Sequence, residues 1–308
     1  ANIINIKAGK IENSEITAGK GNITSSGDIE GGKIYSNDIS IKGKNVRTDT
    51  VESGKTVIKA DGEIRNAGKI VSKELDMTAG RIESTNIVSG RAVINADEIN
   101  SGEITSNELK VKGKNFTAVS KVDAESANFE LKGKFTNRGT VSSDSLKVKA
   151  KDILNDGKIY GNRAELSSEG NTVNIGKMEA DKLNITSSQA TDNRGVISTN
   201  ELTVNTYGFT NSKEISAGKG TINATGTVKN DDRIHSNELT VNAGEIVNNR
   251  KIETGKGTFT SKEDIVNNDI MIGNTLNFKG RNLVNGEGHT IFTTRELKAE
   301  MTGDIVNR

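Results

Sequence analysis

The sequence predicts an all-β fold: a right-handed parallel β-helix, or β-solenoid, of about 16 coils of roughly 18–19 residues, with three short strands in each coil. Three observations predict it. Apolar residues return about every 18 residues along all 308 positions. Between returns they alternate with polar residues, which is strand periodicity. Glycine is abundant at 33 residues and proline is absent, as a stack of turns needs when nearly every backbone N–H bonds to the next turn.

The repeat comes in two forms. The first reads I-x4-L-x-V. It assigns inward positions to Ile34, Ile39 and Ile41; to Ile70 and Leu75; to Ile104, Leu109 and Val111; to Val141, Leu146 and Val148; to Ile197, Leu202 and Val204; and to Ile234, Leu239 and Val241. The second form runs from Ile16, Ile215 or Ile252 into Gly-Lys-Gly, then to Ile23, Ile222 or Phe259. The two forms together mark sixteen unit starts from Ile16 to Ile291. A helical repeat would need apolar spacings of three and four, which glycine would punctuate badly. A left-handed β-helix would need strict hexapeptides, and these apolar offsets break that period. The Gly-Lys-Gly segments read as coil corners.

An asparagine recurs two residues after the last apolar position of many units: Asn66, Asn137, Asn155, Asn211, Asn230, Asn248, Asn267, Asn285 and Asn307. Asparagine suits tight turns, and stacked amides can hydrogen-bond along an axis as a ladder. No coil can bury its apolar side alone, so stability is collective. Domain organisation follows: residues 1–308 form one repetitive segment.

Composition narrows the function classes. Lys+Arg (42) and Asp+Glu (41) nearly cancel, and Lys and Glu interleave, so no basic stripe for nucleic acid is evident. No apolar run approaches the roughly 18 residues of a spanning helix. There is no cysteine, hence no soft metal site. Ser53-Gly54-Lys55-Thr56 ends like a phosphate-binding loop, but Asp49 stands where that motif needs glycine. His235 and His289 lie in different coils, and the acidic pairs Asp231-Asp232 and Glu263-Asp264 fall in loops. Asn22, Asn115, Asn184 and Asn223 open N-x-T glycosylation sequons that overlap strands. No catalytic, cofactor-binding or metal-ligating residue is assigned, and the chain reads as no enzyme.

The unit G-K-I-x-S-x-E-L-x-V-x-A-G-x-I-x-N, best seen from Gly68 to Ile82, Gly102 to Phe116 and Ile234 to Asn248, resembles the repeats of filamentous haemagglutinin-like exoproteins. These include adhesins and contact-dependent inhibition proteins of two-partner secretion systems. The resemblance covers nearly the whole chain and is weakest around Gly161 to Gly176 and after Gly286. It implies a structural shaft, a fragment of a longer exoprotein, that is secreted or displayed on the outer surface of Gram-negative cells. Its export partner would be an outer-membrane β-barrel transporter. Host or bacterial receptors would be met through regions outside this segment, with no nucleic acid or small-molecule substrate. The other expectation is a direct adhesive surface, for which the count leaves few outward aromatics: seven Phe and three Tyr, several at inward positions.

Overall fold

A computed structural model describes residues 2–308, and Ala1 lies outside the described residues. It is an all-β parallel solenoid of about 17 turns with no helix among those residues. The turn beyond the sixteen repeat starts is the first: Ile3–Ala8 pairs in parallel with Lys20 to Ser25, ahead of the earliest full unit. The chain divides into two compact units, Ala1–Ala150 and Lys151–Arg308, each built from the same repeat.

One turn of the C-terminal unit shows how the sequence makes a coil. In Lys177–Ser187, Met178 and Ala180 point inward and Asp181 and Lys182 both point outward. Leu183, Ile185 and Ser187 then point inward again. The doubled outward step reverses the strand's phase, so the chain rounds a corner without leaving the hydrogen-bonded ladder. Ala190–Asn193 makes the third face, with Thr191 and Asn193 inward. Each coil therefore has three faces but two strands, because the first two faces are one bent strand. In the N-terminal unit fusion goes further, and Glu63–Ala118 runs as a single strand of 56 residues.

Register is parallel throughout each unit. Ile34 sits over Val51 and Ile41 over Ile58 in the N-terminal unit. Leu183 sits over Leu202 and Ile185 over Val204 in the C-terminal unit. Stacking of this kind lays like positions on like, and the core meets it by alternating volume. In the N-terminal unit one inward column pairs Gly21 with Ile39, Ile39 with Thr56 and Thr56 with Leu75. Further on it pairs Leu109 with Ala127 and Ala127 with Leu146. In the C-terminal unit the same column pairs Leu202 with Gly220, then Leu239, then Gly257, then Leu276.

The two forms of the repeat thus fill one core. A side chain on Gly21 would sit 2.3 Å from Ile39 Cδ1, and one on Gly220 would sit 3.1 Å from Leu239 Cδ1. Only the first glycine of each Gly-Lys-Gly is a corner: Gly19, Gly218 and Gly255 lie against the carbonyl oxygens of Asn2, Asn200 and Asn237. The second is an inward space into which a neighbour's branched side chain reaches, which corrects the reading of the whole segment as a corner.

Aromatic rings end up inside. Phe116, Phe129 and Phe135 cluster with ring centroids 4.8–5.8 Å apart in the N-terminal unit. Phe259 and Phe278 stack at 5.4 Å in the C-terminal one. Outside, one column alternates sign along the stack. Lys20, Asp38, Lys55 and Glu74 follow one another in the N-terminal unit. Lys182, Glu201, Lys219, Glu238 and Lys256 do so in the C-terminal unit. In-register parallel strands would otherwise set like charges side by side, which is destabilising.

Candidate functional site

All seventeen assigned core residues, from Ile34 to Val241, are buried. Of the assigned asparagines, Asn137, Asn155, Asn211, Asn230, Asn248, Asn267 and Asn285 are buried too. Within the C-terminal unit they form the molecule's most regular polar feature. The Nδ2 of Asn155 donates to Oδ1 of Asn174, and the chain of donations continues through Asn193, Asn211, Asn230, Asn248, Asn267, Asn285 and Asn307. Every rung measures 2.7 or 2.8 Å.

Nδ2 also reaches the corner backbone. Asn155 donates to the carbonyl of Lys177 at 3.2 Å, Asn211 to that of Arg233 at 3.4 Å, Asn248 to that of Ile270 at 3.2 Å and Asn267 to that of Thr290 at 3.2 Å. The Arg233 carbonyl already accepts from the Ile215 N–H at 2.9 Å, so the amide is a second donor there; its dipole aligns with those above and below, and aligned hydrogen bonds polarise one another.

Corner length accompanies asparagine in the C-terminal unit. Where the corner residue is asparagine in the C-terminal unit, the next face starts four residues later, as from Asn155 to Ile159, Asn193 to Ile197 and Asn230 to Ile234, except after Asn285, which Ile291 follows by six. In the N-terminal unit Thr48, Ser84 and Ser101 lead to Val51, Ile87 and Ile104 only three residues on. Ala118, buried and four residues before Val122, shows that the longer corner also closes without an amide. Asn13 makes the point in reverse. It precedes Ile16 by three, and neither of its amide atoms finds a partner. Asn66 stands in a four-residue corner and its Nδ2 donates to the Asp49 carbonyl at 2.7 Å. Asn137, also buried, accepts from the Gly139 N–H at 3.2 Å.

Two rungs, Asn174 and Asn193, escaped the sequence rule. That rule sought an apolar residue two positions earlier, and there the chain has Thr172 and Thr191. Both threonines are buried in a hydroxyl cluster with Ser168 and Ser187 at 2.8–3.1 Å. Counting on from Asn155 by the repeat length would have found both. The cluster also accounts for the weak resemblance near Gly161 to Gly176, because there the core side chains change from alkyl to hydroxyl.

The remaining motifs resolve into structure. Thr56 is fully buried and its hydroxyl lies 2.6 Å from that of Ser53, while Lys55 faces Glu74 at 3.6 Å, so no phosphate cradle exists at 53–56. His235 lies 3.9 Å from Glu253 and far in sequence from His289, whose carbonyl accepts from Asn285. Asp231 pairs with Lys229 at 2.8 Å and accepts from Asn249; burial pushes its carboxyl up, but these two partners outweigh it and hold it below the usual range. Glu263 and Asp264 both bind Arg281. Of the sequon asparagines, Asn115 is tied to Glu98 and to the Lys134 N–H, and Asn223 to Asn205 and Asn242. Asn22 is exposed.

No family model, curated protein or solved structure matches the chain. Among the described residues no group of three or more His, Cys, Asp or Glu could hold a metal ion, and no helix is long and apolar enough to cross a membrane.

Proposed function

We propose that this chain is a structural shaft, a repetitive segment of a secreted or surface-displayed exoprotein that carries a distal functional region away from the cell. One observation carries the reading: each unit repeats one coil with nearly constant length, so successive coils align without the long insertions that would wall a cleft. The longest step between paired positions is 22 residues, from Leu283 to Ile305. A side-chain amide column that clamps coil to coil supports the same reading, since its chemistry is spent on the fold. In this reading the chain is no enzyme and uses no cofactor. The sequence resemblance to filamentous haemagglutinin-like repeats supplies the export route, an outer-membrane β-barrel partner, as part of the proposal.

A second reading, a direct adhesive surface, draws support from Tyr160 and Tyr207. Both are outward, at 44% and 62% exposure, although six of the seven phenylalanines are inside.

The test is to label intact producing cells with antibody raised against residues 215–285 and to shave them with protease. Surface labelling that protease removes is the expected result. In-frame removal of one coil, residues 215–233, should preserve both display and the distal region's activity. Labelling found only after the cells are opened would overturn the proposal.

A further inference from the structure

The first face of the C-terminal unit is not uniform. Its outward column runs Tyr160, Glu179, Ser198, Ser216 and His235, one residue per coil. The two serines are short, and beside Ser216 the corner residue is Gly218, with no side chain at all. Tyr160 and His235 are large and stand at the two ends. The result is a trench of about 830 Å³ crossing the coils. Four coil spacings separate its ends, about 19 Å.

We propose that this trench binds an uncharged oligosaccharide lying along the stack, with Tyr160 as the platform for one sugar ring. The chemistry of the lining points there. Tyr160 is 44% exposed, and an aromatic face turned to water beside polar groups suits the C–H face of a sugar. The floor offers hydroxyls from Ser198 and Ser216. The flank offers paired amide and carboxylate groups: Asn200 donates to Asp181 at 3.0 Å, and Asn237 follows at the same corner. Such groups match a ligand rich in hydroxyls that both donate and accept.

Charge excludes the rival classes. Lys177 is already neutralised by Glu179 at 2.6 Å, and Asp181 stands on the flank, so a polyanion would meet carboxylates. Nucleic acid would need a basic stripe to displace counterions. A peptide adding itself as a strand would need a free sheet edge, and these residues lie mid-stack, paired on both sides. The site stands whether or not the chain is displayed on a cell, so its test and the display test fail separately.

The experiment titrates the intact chain with three uncharged probes, maltohexaose, cellohexaose and chitohexaose, and with a heparin hexasaccharide, by calorimetry and saturation-transfer NMR. At least one uncharged hexasaccharide should bind, and heparin should not. Tyr160→Ala should weaken binding about tenfold or more, the loss of one stacking contact. Ser198→Trp, which fills the floor, should abolish it. Both variants should melt with the unmodified protein; if the tryptophan variant fails to fold, Tyr160→Ala decides alone. Absence of binding by all three uncharged probes, preference for heparin, or unchanged affinity in Tyr160→Ala would each overturn the proposal.

Discussion

The two units share a repeat but treat one corner differently. In the C-terminal unit the corner is long, always carries asparagine from Asn155 to Asn307, and every amide is engaged along the stack. In the N-terminal unit the same column holds Asn13, Gly31, Thr48, Asn66, Ser84, Ser101, Ala118 and Asn137. The hydroxyls of Ser84 and Ser101 and both amide atoms of Asn13 find no hydrogen-bond partner in the chain. Ser84 and Ser101 stand in three-residue corners within the continuous strand Glu63–Ala118, and Ala118, four residues before Val122, shows that a longer corner also closes without a polar side chain. A polar column is therefore not a requirement of the coil. It becomes a ladder where asparagine follows asparagine in register through successive coils.

The largest expected effect falls on what the units share. Leu239 is 2% exposed, between Gly220 and Gly257. Leu239→Asp would bury an unpaired charge, and a loss of several kcal/mol is expected in thermal or denaturant unfolding. Because each coil touches only its neighbours, hydrogen exchange should quicken in the flanking coils first. An unchanged melt would break the comparison at its base, since both units depend on that column.

Next in size is overpacking, where the units differ in kind. The C-terminal column makes room with glycine and the N-terminal one partly with alanine, as at Ala127 between Leu109 and Leu146. A Cβ on Gly257 would lie 2.6 Å from Phe259 Cε2 and 2.8 Å from Leu276 Cδ2. Gly257→Val should cost about 1–3 kcal/mol. Adding Leu276→Ala should recover part of it in a double-mutant cycle. Strict additivity of the two would sink the idea that large and small residues compensate between coils.

The corner itself gives the sharpest contrast. Asn230→Ala breaks two ladder hydrogen bonds, leaving Asn248 Oδ1 without its ladder donor and Asn211 Nδ2 with only the Arg233 carbonyl, for an expected loss of about 1–3 kcal/mol. Ser84→Ala removes a hydroxyl without a partner and should stay within about 0.5 kcal/mol of the unmodified protein. Equal effects at the two positions would remove the distinction between ladder and column.

These contrasts also show what a sequence displays and what it hides. Burial was legible because each inward residue is marked twice, by apolar type and by the repeat: Ile104, Leu109 and Val111 are identifiable without coordinates. Asn174 and Asn193 were hidden because a local rule asked for an apolar neighbour, and Thr172 and Thr191 had replaced it with hydroxyls that satisfy one another. The role of Gly21, Gly220 and Gly257 was hidden for a different reason. Their partner, a branched side chain one coil away, is a property of the stack and of no single unit. The trench from Tyr160 to His235 is likewise a pattern of side-chain sizes across five coils, and no window along the chain contains it.

The smallest expected effect separates the units by charge. In the C-terminal unit Asp264 accepts from Arg281 Nε at 3.0 Å and from Asn282 at 2.8 Å. The Arg281 guanidinium holds its carboxyl below the ordinary aspartate range, against the opposing pull of partial burial, with Asn282 assisting. In the N-terminal unit Asp28 takes the equivalent hydrogen bond from Asn45 at 2.9 Å. A carboxyl held low in the folded state stabilises above its unfolded pKa, near 3.9, and loses that contribution as pH falls through the lower folded value. Asp264→Asn should therefore lower Tm at pH 7 by about 2 °C at most, since the pair is largely solvated. The difference from the unmodified protein should shrink below about pH 4 as Asp264 itself becomes protonated. A deficit at Asp264→Asn that persisted to pH 2 would mean that the side chain acts there through its hydrogen-bonding shape and not through its charge.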